Sequence, residues 1–72
     1  MAQSAEFLFV VRLEQDGTPW IALQPKHEGF KDFRGEIGLD LFRGTSLVEA
    51  KQLVRFLNSN IKAIRCLASE SR

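Results

Sequence analysis

Three stretches of the chain predict β-strands. The first, at about 6–14, is rich in aromatic and β-branched residues, and the second lies at about 18–24. The third, at about 35–42, alternates apolar residues with small or polar ones, which predicts one buried and one solvated face. Its apolar positions are Ile37, Leu39 and Leu41.

The segment Gln15-Asp16-Gly17 predicts a hairpin between the first two strands. A two-residue loop would place Leu13 opposite Trp20, whereas a three-residue loop with its glycine in the left-handed conformation would place Val11 opposite Ile21. The three-residue loop gathers more apolar residues on one face, and a slip of one residue would undo that arrangement. We therefore predict the three-residue loop.

Apolar residues at spacings of three and four predict a helix over about 46–59. Ser46 and Glu49 form a capping box, which marks the beginning of the helix. The apolar stripe is formed by Leu47, Ala50, Leu53, Val54 and Leu57.

The end of the helix has two interpretations. Apolar residues within 61–68 would continue the stripe if the helix ran on. Alternatively, Asn58-Ser59-Asn60 provides a left-handed C-cap, and about 62–67 forms a short fourth strand. We favour the second interpretation slightly.

These elements predict an α+β fold with two layers, in which a three-stranded antiparallel meander carries one helix on one face. We expect a single small domain over 1–72, with loose ends at 1–4 and 69–72. The core is expected to contain the helix stripe and Phe7, Phe9, Val11, Leu13, Ile21, Leu23, Ile37, Leu39 and Leu41.

Composition indicates an ordinary globular chain, and its short length indicates a marginal core. The 72 residues are 44% hydrophobic and 26% charged, with a net charge of +1. One cysteine excludes an internal disulfide, and the longest apolar run, Phe7 to Val11, is too short to span a bilayer. We expect a small, soluble, bacterial-type protein of the reducing cytoplasm, without membrane attachment.

Candidate chemistry is sparse. His27, Glu28 and Asp32 are typical of a solvated polar loop, because no metal-ligand spacing is present. Lone Cys66 is expected to be structural, because no nucleophile motif is present. We therefore expect no catalytic activity, metal or cofactor. A weak anion site is conceivable at the beginning of the helix, where free N–H groups favour negative charge. Its residues would be Arg43, Thr45 and Ser46.

The second face of the sheet, here called the outer face, is the most informative feature. The one predicted helix is used by the core face, so the outer face is left as an apolar patch of the kind that marks interaction sites. Its candidate contact residues are Leu8, Val10, Arg12, Trp20, Ala22 and Phe42. In the alternative interpretation, the 25–34 loop with Phe30 and Phe33 folds over this face.

We expect a non-catalytic interaction or regulatory module that self-associates, as a homodimer, or docks on another protein through the outer face. DNA binding is the alternative. The β-β-β-α order resembles small DNA-binding domains of a class of plant transcription factors and of some phage-type integrases, which lay a three-stranded sheet in the major groove. Residues 43–72 carry six basic and two acidic side chains, a net +4. The outer face itself offers Arg12, whereas Glu14, Glu36 and Asp40 oppose DNA.

Overall fold

The fold is α+β, as predicted, and consists of a three-stranded antiparallel sheet with one helix packed on it and a separate two-stranded pair. The computed structural model describes residues 2–27, 29–30 and 35–67. Within them, the order is β1 (Ala2–Ala5), β2 (Phe7–Leu13), β3 (Pro19–Pro25), β4 (Ile37–Asp40), α1 (Leu47–Asn60) and β5 (Ile64–Leu67). The strand order is β2-β3-β4 in one sheet and β1-β5 in the other.

The β2–β3 hairpin has the predicted three-residue loop. Val11 pairs with Ile21, and Gly17 adopts a φ of 89°, the left-handed conformation that favours glycine. The Glu14 N–H donates to the carbonyl of Thr18 at 2.9 Å, which closes the loop, and the Gly17 N–H donates to the carbonyl of Glu14 at 2.9 Å. This closure fixes which side chains of β2 and β3 share a face.

The core lies between α1 and the face of β2 and β3 that carries Phe9 and Ile21. Its buried residues are Ala5, Phe7, Phe9, Ile21 and Leu23, and Ala50 is buried on the helix. The helix contacts β2 and β3 and leaves β4 largely uncovered. The predicted burial of four leucines is wrong, because each keeps more than a third of its surface exposed. They are Leu13, Leu39, Leu47 and Leu53. For Leu39, which lies on β4, the position of the helix is the reason.

Both ends of α1 are defined by side-chain hydrogen bonds. The predicted capping box is present: the Glu49 N–H donates to Ser46 Oγ at 3.0 Å, and the Ser46 N–H donates to Glu49 Oε1 at 2.8 Å. The predicted left-handed cap over 58–60 is wrong, because those residues are helical and the C-cap, Ile61, is extended with φ −107°. The Asn60 side chain instead donates to the carbonyl of Phe56 at 2.8 Å.

The interpretation with a short strand after the helix is correct, because β5 follows α1. The same strand accounts for a strand at the N-terminus that the sequence did not predict. Ala2–Ala5, which the pattern left loose as 1–4, forms β1 because β5 supplies an antiparallel partner. The segment has no periodicity of its own, so a strand there depends on a distant segment. Residues 1 and 69–72, the rest of the predicted loose ends, lie outside the described residues.

Asn58 covers the free edge of β2. Its side-chain Oδ1 accepts the Phe9 N–H at 2.9 Å, and its Nδ2 donates to the Phe9 carbonyl at 2.9 Å. The amide thus replaces the backbone of a neighbouring strand at one residue, a way of closing an edge that would otherwise pair with other chains. It also fixes the helix C-terminal half over β2.

Replacing Asn58 with alanine is expected to lower the free energy of unfolding by about 1–3 kcal/mol, because both backbone groups of Phe9 lose their partner. Urea denaturation followed by circular dichroism measures this loss. Asn60→Ala is the control, since its amide bonds only to a carbonyl of its own helix. Equal losses in the two variants would contradict the edge-closing role of Asn58.

Candidate interaction face

The outer face has the strand register that the sequence predicts. Val10 lies opposite Ala22, which lies opposite Gly38 across the sheet. One step toward the hairpin loop, Arg12 lies opposite Trp20, which lies opposite Asp40. Because α1 packs on the other face of β2 and β3, no helix among the described residues covers this one.

Phe30, in the loop after β3, lies on the core side of the sheet. Phe30 packs against Phe7 on the core side, with ring centroids 5.5 Å apart at an interplanar angle of 47°. A small crevice of about 50 Å³ lies there, lined by Leu23, Ile37 and both rings. Phe30 therefore does not fold over the outer face, and Phe33, its predicted companion, lies outside the described residues.

The indole of Trp20 packs directly on Gly38 on the outer face. A Cβ atom added at Gly38 would lie 2.5 Å from Cζ3 and 2.7 Å from Cε3 of the indole, closer than any real side chain allows. The ring therefore rests on bare backbone, which explains a glycine inside a strand. The alternation of β4 in the sequence placed Gly38 on this face, but gave no indication of which side chain fills the space above it.

The Arg12 side chain extends across the sheet and forms an ion pair. Its Nη2 lies 3.7 Å from Oε2 of Glu36, the residue before β4. Its Nε is buried and has no hydrogen-bond partner among the described residues. Since Arg12 is on β2 and Glu36 adjoins β4, the side chain passes over β3. We attribute the complete burial of Ala22 to this crossing and to the neighbouring indole.

The predicted contact residues therefore divide into two groups. Ala22 lies beneath the surface and supports the side chains above it, while Val10, Arg12 and Trp20 are half-buried. Leu8 is 42% exposed and Phe42, two residues past β4, is 93% exposed. The face thus combines a fixed, partly covered centre with exposed apolar side chains at its margins.

An open cleft of about 770 Å³ adjoins Trp20 at the end of the sheet, between the hairpin loop and the turn before α1. Its charged lining is mostly acidic, from Glu14, Asp16 and Asp40, with Arg43 as the basic side chain. Asp16 is engaged in the turn: its Oδ1 accepts the Thr18 N–H at 3.0 Å, and this hydrogen bond lowers the pKa of the carboxyl. The lowered pKa makes the Asp16 carboxyl a poorer general acid or base near neutral pH.

At the start of α1, where the sequence suggests a weak anion site, several polar groups form hydrogen bonds within the chain. Ser46 and Glu49 satisfy each other's backbone donors, and Thr45 Oγ1 donates to the carbonyl of Phe42 at 2.7 Å. Arg43 is exposed beside them. The arrangement serves helix capping, in which the Glu49 carboxylate accepts the Ser46 N–H.

The residues with potential chemistry elsewhere are dispersed. His27 is exposed after β3, and Cys66, expected to be structural, is exposed on β5. Glu28 and Asp32 lie outside the described residues. In the described part of the chain, no three His, Cys, Asp or Glu side chains are grouped to hold a metal ion, and no helix there is long and apolar enough to cross a membrane.

Comparison of the chain with protein-family models, with curated proteins and with solved structures found no match. The function is therefore argued from the geometry of the outer face.

Proposed function

We propose that the protein is a small non-catalytic interaction module that self-associates through the outer face of its sheet. The observation that carries the proposal is the position of Trp20, which lies on Gly38 in the middle of a sheet face that α1 leaves uncovered. Tryptophan and arginine are the residue types most enriched at energetic hot spots of interfaces. An indole that is already fixed loses little conformational entropy on binding.

The composition of the outer face favours a second copy of the chain as the partner. Leu8, Val10 and Phe42 offer apolar contact area, and the guanidinium of Arg12 is already paired with Glu36, so the centre carries little net charge. Two copies related by a twofold axis would stack these faces as the layers of a β-sandwich, about 10 Å apart. A 72-residue chain gains stability from such an additional apolar layer.

The same geometry weighs against DNA binding by this face. Arg12 is paired with a carboxylate, and Glu36 and Asp40 adjoin it. Of the basic residues in 43–72, Lys51 and Arg55 lie on α1, whereas Lys62 lies beyond its end at Asn60. With Arg12 paired and carboxylates beside it, the described centre of this face offers little positive charge to displace counterions from phosphates.

Val10→Glu tests the proposal by light scattering over a series of protein concentrations. The variant buries a carboxylate without a partner on both sides of a twofold interface, so the dissociation constant should rise at least about 100-fold, at ten-fold for each 1.4 kcal/mol. The assembly mass should fall to half that of the unchanged protein.

Val48→Glu is the matched control, because Val48 is 64% exposed on α1 and the charge change is the same. Its mass should equal that of the unchanged chain, and circular dichroism should show both variants folded. An unchanged chain that is monomeric at high micromolar concentration, or a Val10→Glu variant with unchanged mass, would overturn the proposal.

A further inference from the structure

We infer that β4 is a second self-association site, at which two copies pair edge to edge and extend the sheet to six strands. This interface is separate from the outer face. It is carried by three features of the described residues: an unpaired strand edge, an apolar strip left open beside it, and a strand register that avoids opposing like charges.

The edge is open because β4 is the last strand of its sheet. The direction of its backbone groups follows from the other edge, where both polar groups of Phe9 point away from β3 toward Asn58. Strict alternation in an antiparallel sheet then directs the N–H and carbonyl of Ile37 and Leu39 toward β3. Those of Gly38 and Asp40 point outward, and no strand of the described residues pairs with them.

The apolar strip lies on the core side of the same edge. Leu39 is 39% exposed because α1 covers β2 and β3 and not β4. Asn58 points from α1 toward the β2 edge, and at 100° per residue Leu53 and Phe56 lie on the opposite flank of the helix. That flank is on the β4 side, and its Phe56 is 60% exposed.

A second copy of this chain can pair with the open edge of β4 and cover the apolar strip at the same time. A twofold axis normal to the sheet pairs β4 with β4 in antiparallel fashion and keeps both helices on the same side. The exposed strips of the two copies then meet in the gap between the two helices. A second copy supplies the hydrogen bonds of an open strand together with its own Leu39, Leu53 and Phe56, so each strip covers the other.

The carboxylates in and beside β4 favour one register for the pairing of β4 with β4 of the second copy. With the axis at Leu39, the two Leu39 side chains face each other as a non-hydrogen-bonded pair, and Gly38 lies opposite Asp40 of the partner copy. Registers centred on Gly38 or Asp40 would place carboxylates opposite one another, which is destabilising. The Leu39-centred register forms four backbone hydrogen bonds from the outward groups of Gly38 and Asp40.

The edge axis is normal to the sheet and the proposed outer-face axis lies parallel to it. With the outer-face axis intersecting the edge axis at β4, the two axes generate a closed tetramer, in which two six-stranded sheets stack with their helices outside. The tetramer rests on the proposed function, but the edge pairing does not. Variants at the two sites separate the two interfaces.

Asp40→Pro removes the outward N–H of β4 and no hydrogen bond within the chain, and proline is tolerated on edge strands. Asp40→Ala is the control that loses the carboxylate but keeps the N–H. Sedimentation equilibrium should give a tetramer for the unchanged chain and for Asp40→Ala, and a dimer for Asp40→Pro. Val10→Glu should also give a dimer, and the double variant a monomer.

The outcomes distinguish failure of either interface. If only the edge pairing fails, the unchanged chain is a dimer, Asp40→Pro remains a dimer and Val10→Glu becomes a monomer. If only the outer face fails, the unchanged chain is a dimer that Asp40→Pro, and not Val10→Glu, converts to a monomer.

Disulfide trapping tests the register without depending on the proline variant. In a Cys66→Ser background, Leu39→Cys places two thiols across the axis, at a Cα separation of about 4.5 Å that permits a disulfide. With diamide as the two-electron oxidant, most chains should form a covalent dimer. Val48→Cys in the same background is the control and should cross-link at least ten-fold more slowly. Equal rates would overturn the edge pairing.

Discussion

Ile21→Ala is expected to lower the free energy of unfolding by about 2–5 kcal/mol, the range for deleting a fully buried aliphatic side chain. Ile21 is the largest side chain with no exposed surface, and it lies in the central strand beneath α1. A domain of this size has about 3–5 kcal/mol available from its core. The variant should therefore be largely unfolded at 25 °C.

Leu39→Ala is the matched control, because Leu39 is the cross-strand partner of Ile21 on β4 and keeps 39% of its surface exposed. Its loss should be about 1 kcal/mol, since less apolar area leaves the core. Urea denaturation at a dilution where the chains are monomeric measures both. Equal losses would mean that α1 covers β4 as fully as β3.

Gly38→Ala is expected to displace the indole of Trp20 and to cost about 1–3 kcal/mol, the range for overpacking. The added methyl would lie 2.5 Å from Cζ3, and the ring is too large to move aside without leaving Ala22 uncovered. Trp20 is the single tryptophan of the chain, so its fluorescence emission should shift to longer wavelength as the ring becomes solvated.

A double-mutant cycle isolates this contact. In a Trp20→Ala background, Gly38→Ala meets no ring, so its cost should fall by about 1–3 kcal/mol and leave only the contact of the new Cβ with the Ile21 carbonyl oxygen at 3.2 Å. The outer-face assembly should weaken in parallel with the fluorescence shift. A Gly38→Ala variant with unchanged emission and stability would contradict the position of the indole.

The sequence by itself determined the local elements and their register. Gly17 permits the left-handed residue of a three-residue loop, and this loop fixes Val11 opposite Ile21. Ser46 and Glu49 fix the first turn of α1 through bonds only three residues apart. Each of these features depends on neighbours in the chain, so the residue types alone carry the information.

Only the tertiary structure decided what covers each face, because those contacts join residues far apart in the chain. Asn58 closes the edge of β2 by binding Phe9, 49 positions away, and the same placement of α1 leaves Leu39 exposed. Ala2–Ala5 becomes a strand because β5 lies beside it. Glu36 forms an ion pair with Arg12, and the indole of Trp20 packs on Gly38. The alternation of the strands assigns each side chain to a face of the sheet, but it does not specify which side chain lies next to it.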